Sequence, residues 1–197
     1  MFTVPEEIAA IAYQNKEVVY GILFRATAET LQTIAADPKH LGAEIGFFAV
    51  LHSWGSNLMH HPHLHCVVPG GGISPDGGHW IYCKPHFFLP VRVLSSRFRR
   101  LFLKYLQEAF DAGKLHFFTA LENLRDDRHF LRYLAPLRKK KWVWGNPKGF
   151  LRGHTAAAED AHHFTSKEPQ TFGPILAFEI AYYLTGVSTQ RVSASQT

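Results

Sequence analysis

Four histidines lie within six positions at residues 60–65, and a short apolar run and three glycines follow them. In an extended strand alternate side chains point the same way, so His63 and His65 share one face while Leu64 and Cys66 take the other. The two imidazoles are then about 6.5 Å apart along the strand and can lean onto one divalent ion. This spacing predicts a metal site with His63 and His65 as ligands.

Two histidines leave the coordination of such an ion incomplete. His61 would share their face if the strand begins early, although Pro62 interrupts it. His60 and His61 are therefore candidates for a third ligand or for groups that support the ligands. Zinc would need one or two more ligands, whereas magnesium or manganese could complete its sphere with water and a phosphate oxygen.

Other reactive side chains in the chain have simpler interpretations. Buried polar groups usually find hydrogen-bond partners, so we expect ordinary structural roles for His52, His79, His86 and His116. Cys66 and Cys83 are expected to pack as small apolar residues. The glycines at residues 70–72 allow either a close approach of a phosphate or a plain tight turn.

The elements around the histidines predict an α+β fold with an antiparallel central sheet and helices packed on it. Strands are expected at residues 45–54, 63–69 and 79–83, with glycine-rich turns between the last two. Residues 2–4 look like the end of a strand. Helices are expected from residue 5, over 17–36, from 95 or 96 to 112, and over 119–134.

The formal charge of +5 is unevenly distributed. The net charge is −3 over residues 1–91, +10 over 92–152 and −2 over 153–197. A basic block of this kind suits the backbone of a nucleic acid, although a solvated basic face would have the same composition. The cations that we expect to contact DNA are Arg97, Arg99, Arg100, Lys104, Arg138, Lys139, Lys140 and Lys141.

The overall composition is that of one globular domain with 197 residues, 46% of them hydrophobic. Two cysteines can build neither a disulfide framework nor a four-cysteine zinc site, which favours a reducing, cytoplasmic setting. No signal peptide is visible. The apolar stretch at residues 174–187 is too short and interrupted to span a membrane.

The run HPHLHCVVPGGG at residues 61–72, followed by SPDG at 74–77, resembles the transposase domain of the two-tyrosine rolling-circle insertion sequences. These transposases belong to the HUH endonuclease superfamily, named for the histidine-hydrophobic-histidine pair. Supporting blocks are FTVPE at residues 2–6, LHSWGSNL at 51–58 and FFLPV at 87–91. The likeness extends from about residue 2 to residue 143.

The resemblance implies an enzyme that nicks and rejoins a DNA strand during transposition. The histidine pair would hold a divalent ion, magnesium or manganese rather than zinc, against the scissile phosphate. A tyrosine would attack the phosphorus and keep the 5′ end as a phosphotyrosine. The expected partner is DNA, in single-stranded form or as the hairpin ends of the element.

The chain also departs from the family pattern. A cysteine-rich zinc module that precedes this region in relatives is missing, and so is the Tyr-x-x-x-Tyr motif expected after Val143. Tyr182 and Tyr183 are adjacent and do not match that motif, so no catalytic nucleophile is assigned. We expect a partial catalytic core at residues 1–143 and a divergent, poorly ordered tail at 144–197, of the kind a reading-frame shift produces. This pattern predicts a truncated, catalytically incomplete transposase copy.

Two other functions fit the same residues. A metal-dependent hydrolase of a small substrate could use His61, His63 and His65, and would bind zinc without salt-sensitive affinity for DNA. A non-enzymatic DNA-binding remnant would bind DNA equally well without His63.

Overall fold

The computed structural model describes residues 1–54, 59–85 and 87–142. The strands are β1 (Phe2–Thr3), β2 (Phe48–Trp54), β3 (His60–Val67), β4 (Gly71–Ile73) and β5 (Trp80–Tyr82). The helices are α1 (Glu6–Gln14), α2 (Lys16–Ala36), α3 (Val91–Asp111) and α4 (Asp127–Leu134), with 3-10 turns at Thr119–Arg125 and Ala135–Arg138. The α+β class with antiparallel sheets is confirmed. His86, Tyr182, Tyr183 and the tail expected at residues 144–197 lie outside the described residues.

The histidine strand β3 is the centre of a three-stranded antiparallel sheet. β1 pairs with one edge of β3 and β2 with the other. Leu64 of β3 is fully buried, and its cross-strand partner Phe2 is almost so. The even-numbered side of β3 therefore packs on the helices, and the odd-numbered side, with His63 and His65, faces the other way.

Helix α3 closes the core beneath this sheet. Its buried residues recur at helical spacing, from Leu94 through Phe98 and Phe102 to Leu106. The Phe98 ring centroid lies 5.0 Å from that of Phe2. α3 thus supports the sheet from the side opposite to the paired histidines, while its polar residues face away from the core.

We expect from the sequence that the strand after the glycine-rich segment joins the histidine sheet, but in the structure it does not. β5 pairs with β4 in a separate two-stranded sheet. Hydrogen bonds of 2.8 Å in both directions between Glu44 and Ile73 tie this hairpin to the segment before β2. Residues 71–73 therefore form a strand rather than a turn.

Other element boundaries also differ from the prediction, and β3 spans His60–Val67 rather than residues 63–69. β2 begins at Phe48 rather than residue 45, and α3 begins directly after Pro90, which occupies its N-cap. The helix expected over residues 119–134 is divided because Asp126 caps a new helix, accepting a 3.1 Å hydrogen bond from the His129 backbone N–H. None of the helices in the described ranges is long and apolar enough to cross a membrane.

Candidate metal centre

Three histidines from two neighbouring strands converge on one face of the sheet. Each of His52, His63 and His65 offers a ring nitrogen that lies within 4.8 Å of the other two. The ring centroid of His52 is 4.4 Å from that of His65 and 5.4 Å from that of His63. Three nitrogen donors at this separation can bind one divalent ion with small side-chain movements.

The antiparallel register explains the third histidine. His52 of β2 lies directly opposite His63 of β3, and directly opposed residues share a face of the sheet. The register of the pair becomes irregular just beyond His52, before Trp54. We expected an ordinary structural role for His52, because the sequence shows spacing along one strand but not which residue of the neighbouring strand lies opposite.

A backbone carbonyl determines which ring nitrogen of His63 carries the proton. His63 Nδ1 lies 2.7 Å from the carbonyl oxygen of His61, which can only accept a hydrogen bond. The Nδ1–H group therefore donates, and Nε2 carries the free lone pair in the neutral ring. Because His63 is also buried, its Nε2 is held in place before any ligand arrives.

Partial desolvation and the neighbouring rings favour the neutral form of His65. Desolvation, followed by the proximity of His52 and His63, lowers the pKa of His65 below its ordinary value. Neutral imidazole is the form that binds metals. The lowered pKa therefore favours the form of His65 that can act as a ligand.

The two candidates for a third ligand occupy other positions. His61 points to the same side as His63, with ring centroids 5.6 Å apart, but its Nε2 lies 2.7 Å from the Thr3 hydroxyl. The His60 ring donates to the Ala9 carbonyl at 3.1 Å and accepts from the Tyr20 hydroxyl at 2.9 Å. Both ring nitrogens of His60 are therefore engaged, and the strand directs its side chain to the helical side.

Apolar residues surround the cluster on the same face. Phe48 and Val50 of β2 and Val67 of β3 are each at least half exposed in the described part of the chain. On the opposite side of β3, Cys66 packs against the core, and burial raises the pKa of its thiol to about 11. Cys66 is therefore a packing residue, as expected, rather than a ligand.

Several of the predicted DNA-binding cations have acidic or carbonyl partners. The ion pairs are Arg97 with Glu29 at 3.5 Å, Lys104 with Glu108 at 3.7 Å and Lys140 with Glu7 at 2.7 Å. Arg99 donates to the Lys140 carbonyl at 2.8 Å. Within the described ranges Arg100, Arg138, Lys139 and Lys141 form no ion pair and remain available for a phosphate.

A groove connects the end of this basic segment to the histidine face. It has a volume of about 400 Å³, and His61 and Thr3 line it together with Lys140 and Lys141. Trp142 forms its floor, buried against Phe98 and Phe102. The basic run therefore reaches the edge of the sheet on which the metal candidates lie.

None of the tyrosines in the described ranges is positioned to act as a nucleophile at the histidine cluster. The hydroxyls of Tyr20, Tyr105 and Tyr133 are hydrogen-bonded to His60, to the Glu29 carboxylate and to the Glu7 carbonyl. Tyr82 lies on the separate hairpin, and the Tyr13 ring packs on His60 on the helical side. No contact in the described part of the chain joins a tyrosine to His52, His63 or His65.

The triple glycine accommodates the chain itself rather than a phosphate. A Cβ on Gly71 would collide with the Trp80 indole and the Ile81 carbonyl, and one on Gly72 with the Glu44 carbonyl. The indole of Trp80 therefore lies over Gly71, and Gly72 allows the hairpin to pack on residues 43–45. His79 and His116 are exposed and take no part in the cluster.

The fold and the site together define an α+β domain whose antiparallel sheet presents three converging imidazoles. Residues 46–158 match the family model described as "Putative transposase", and because this is more than half of the chain, the chain belongs to this transposase family. This confirms the resemblance to insertion-sequence transposases.

Two curated relatives agree with this assignment. The chain is 75% identical over 143 residues to "Putative transposase y4qJ" of Sinorhizobium fredii. The aligned region covers 73% of this chain and 36% of that protein. It is 34% identical over 77 residues to "Transposase for insertion sequence element IS801" of Pseudomonas savastanoi pv. phaseolicola, covering 39% and 18%. The chain therefore spans about a third or less of the length of these relatives. No solved structure matches it.

Proposed function

We propose that the chain is the DNA-binding and metal-binding core of an insertion-sequence transposase. In this proposal His52, His63 and His65 hold a divalent ion against a phosphate of an unpaired DNA strand. The observation that carries it is the convergence of three imidazole nitrogens within 4.8 Å of one another on an accessible sheet face. Membership of the transposase family supports DNA as the partner.

Each part of the proposed site has a distinct task. A divalent ion bound there would withdraw charge from a phosphate oxygen and orient the phosphodiester. His63 would fix the position of the ion, because its ring is buried and its Nδ1–H donates to the His61 carbonyl. Lys141 lines the groove that begins at His61, where it can neutralise a neighbouring phosphate.

The donor set ranks the possible ions. Three imidazole nitrogens bind zinc most strongly, whereas magnesium and manganese more often take oxygen ligands. We propose manganese as the working ion, because it accepts both imidazole nitrogen and phosphate oxygen and leaves positions open for water and DNA. Zinc would bind the same nitrogens and serves as a comparison.

The proposed core binds and positions DNA but does not supply the attacking hydroxyl from its described residues. Three of the described tyrosine hydroxyls are engaged elsewhere, and neither Tyr13 nor Tyr82 contacts the cluster. A small-molecule hydrolase built on His61 is disfavoured, because the Thr3 hydroxyl occupies Nε2 of that ring. The accessible face also suits a polymer better than a small enclosed substrate.

The test compares the affinity for a labelled single-stranded oligonucleotide with manganese and with EDTA. We expect manganese to tighten binding by at least tenfold in the wild type and not in His63→Ala. His79→Ala, an exposed histidine on the hairpin loop, is the matched control and should behave as the wild type. A denaturing gel run on the same mixtures should show no protein–DNA adduct.

Three results would overturn parts of this proposal. An affinity for DNA that is the same with manganese and with EDTA would indicate a non-enzymatic remnant. Zinc uptake without DNA binding would favour the hydrolase. A manganese-dependent covalent adduct would show that the chain does supply a nucleophile.

A further inference from the structure

Three adjoining grooves run along the exposed side of α3, on the side of the domain away from the metal candidates. One is lined by Tyr82, Lys84 and Phe87, and it shares His40 and Val93 with the next. The second shares Ser96 and Arg100 with a third, which reaches Arg138. Their volumes are about 300, 430 and 510 Å³. Shared lining residues make the three grooves one continuous track.

The track is positively charged along its length. Lys39, Lys84, Arg92, Arg100 and Arg138 line it and form no ion pair within the described ranges. The acidic side chains that line the track have partners close by. The Asp37 carboxylate accepts a hydrogen bond from the Lys39 backbone N–H, and Glu108 forms an ion pair with Lys104.

Regular helix geometry spaces the cations of α3. Arg92, Ser96 and Arg100 follow one another at intervals of four residues, so they form one stripe on the helix surface. From Arg92 to Lys104 the helix extends about 18 Å. The track is therefore long enough to contact several phosphates of one strand.

Aromatic side chains stand at the far end of this basic track. The Tyr82 side chain is 79% exposed and that of Phe87 is 48% exposed, although both are large and apolar. Tyr82 lies beside Trp80 on the same side of β5, with ring centroids 6.4 Å apart. Exposed rings beside a cationic groove are the combination that binds unpaired bases by stacking.

The other end of the track approaches the metal candidates. Arg99 lines the third groove and donates to the Lys140 carbonyl, and Lys140 and Lys141 line the groove that opens at His61. The His61 ring is next to that of His63. A strand that follows these grooves would therefore pass around the β1 edge of the sheet and arrive at the three histidines.

We propose that a single DNA strand lies along this track, from Tyr82 and Phe87 past Arg92, Arg100 and Arg138 to the histidine face. The phosphates contact the cations of α3, and two bases stack on the exposed rings of the hairpin and its following loop. This proposal rests on the proposed function for the identity of the nucleic acid. It adds a path for the strand, and it assigns binding roles to Lys39, Lys84, Arg92, Tyr82 and Phe87.

The first test removes the charge of the track. The triple variant Arg92→Ala, Arg100→Ala, Arg138→Ala is compared with a control of equal charge change, Lys114→Ala, Arg128→Ala, Arg132→Ala, whose residues are exposed and lie outside the track. Binding of a labelled oligothymidylate is measured by fluorescence anisotropy over a range of salt concentrations. The slope of log K against log salt should fall by about 2 in the track variant, since each single-strand phosphate contact contributes about 0.7. Equal slopes for the two triple variants would overturn the path.

The second test addresses the stacking end. Tyr82→Ala should weaken binding of the single strand by about 5- to 150-fold, the usual effect of losing one base–aromatic stack. Phe118→Ala removes another exposed aromatic ring, 52% exposed and outside the track, and should leave binding unchanged. A Tyr82→Ala variant that binds the single strand as tightly as the wild type would overturn the stacking role. Tighter binding of a blunt duplex than of the single strand would overturn the assignment of unpaired DNA.

Manganese binding separates this proposal from the proposed function. The track variant should bind manganese as the wild type does, because its three substitutions lie outside the histidine cluster. Loss of DNA affinity in the control triple variant alone would refute the track while leaving the metal centre intact. Conversely, if the track variant shows the predicted fall in slope but the wild type takes up no manganese, the metal centre would be refuted and the track would stand.

Discussion

The packing of Gly72 makes a quantitative prediction about how the hairpin is held. A methyl group added at Gly72 would overlap the Glu44 carbonyl and approach Ile45 Cγ2 at 2.9 Å and Ala43 Cβ at 3.0 Å. At Gly70, by contrast, the first atom it would meet is Cys83 Sγ at 3.7 Å, an ordinary contact. Gly72→Ala and Gly70→Ala therefore form a matched pair within one triple glycine.

The expected loss of stability follows from the bonds that must move. To accommodate Gly72→Ala the hairpin has to shift away from Glu44, which strains the two 2.8 Å hydrogen bonds between Glu44 and Ile73. Losing both costs about 1–3 kcal/mol, and overpacking adds about 1–3 kcal/mol. A free energy of unfolding lower by about 4 kcal/mol corresponds to a fall of about 8–16 °C in melting temperature for a chain of this size.

The assay is thermal and urea unfolding followed by circular dichroism. Gly70→Ala should unfold like the wild type or be more stable by about 0.4–1 kcal/mol, because alanine restricts the unfolded chain. Equal destabilisation by the two substitutions would refute the reasoning, since it would show that backbone freedom rather than the contact with Glu44 requires the glycine.

Two further predictions concern the core. Trp142→Ala should lower the free energy of unfolding by about 3–5 kcal/mol in urea titrations, because Trp142 is fully buried against Phe98 and Phe102. Trp142→Phe should lower it by less, and an equal decrease in the two variants would argue against packing of the aromatic ring. Iodoacetamide at pH 8 should modify Cys83 before Cys66 in peptide mapping, since the pKa of Cys66 is raised to about 11; faster reaction at Cys66 would contradict its burial.

Local patterns predicted most elements of the fold. The buried residues of α2 and α3 recur at helical spacing, and the position of Pro5 before two acids marks the start of α1. The hairpin was harder to predict, because a three-residue strand such as Gly71–Ile73 has no alternation to distinguish it from a turn. The attachment of the hairpin to the segment before β2 depends on hydrogen bonds with Glu44, which is distant in sequence.

The site shows the same division between local and long-range information. His63 and His65 could be placed on one face because both belong to one strand with a period of two. His52 could not, since its position opposite His63 depends on the register between two strands joined by a loop. His60 was a candidate from sequence proximity alone, but the strand alternation turns it towards Tyr20 and Ala9.

Charge in the sequence was also only a partial guide. Arg97, Lys104 and Lys140 lie in the basic block but are paired with acids from other parts of the fold or from the next helical turn. Lys39 and Lys84 lie in a segment with a net negative charge, yet they line the track on α3. The tertiary fold therefore determines which basic side chains remain available to bind DNA.

Manganese binding to the wild type and to two histidine variants tests the metal centre most directly. Isothermal titration calorimetry should find one manganese ion per wild-type chain. His52→Ala should weaken binding by more than 100-fold, beyond the 10- to 100-fold typical of a group that only supports a ligand. His61→Ala keeps the backbone carbonyl that holds His63 and should change the affinity by less than tenfold. Wild-type affinity in His52→Ala, or loss of binding in His61→Ala alone, would contradict the three-histidine centre.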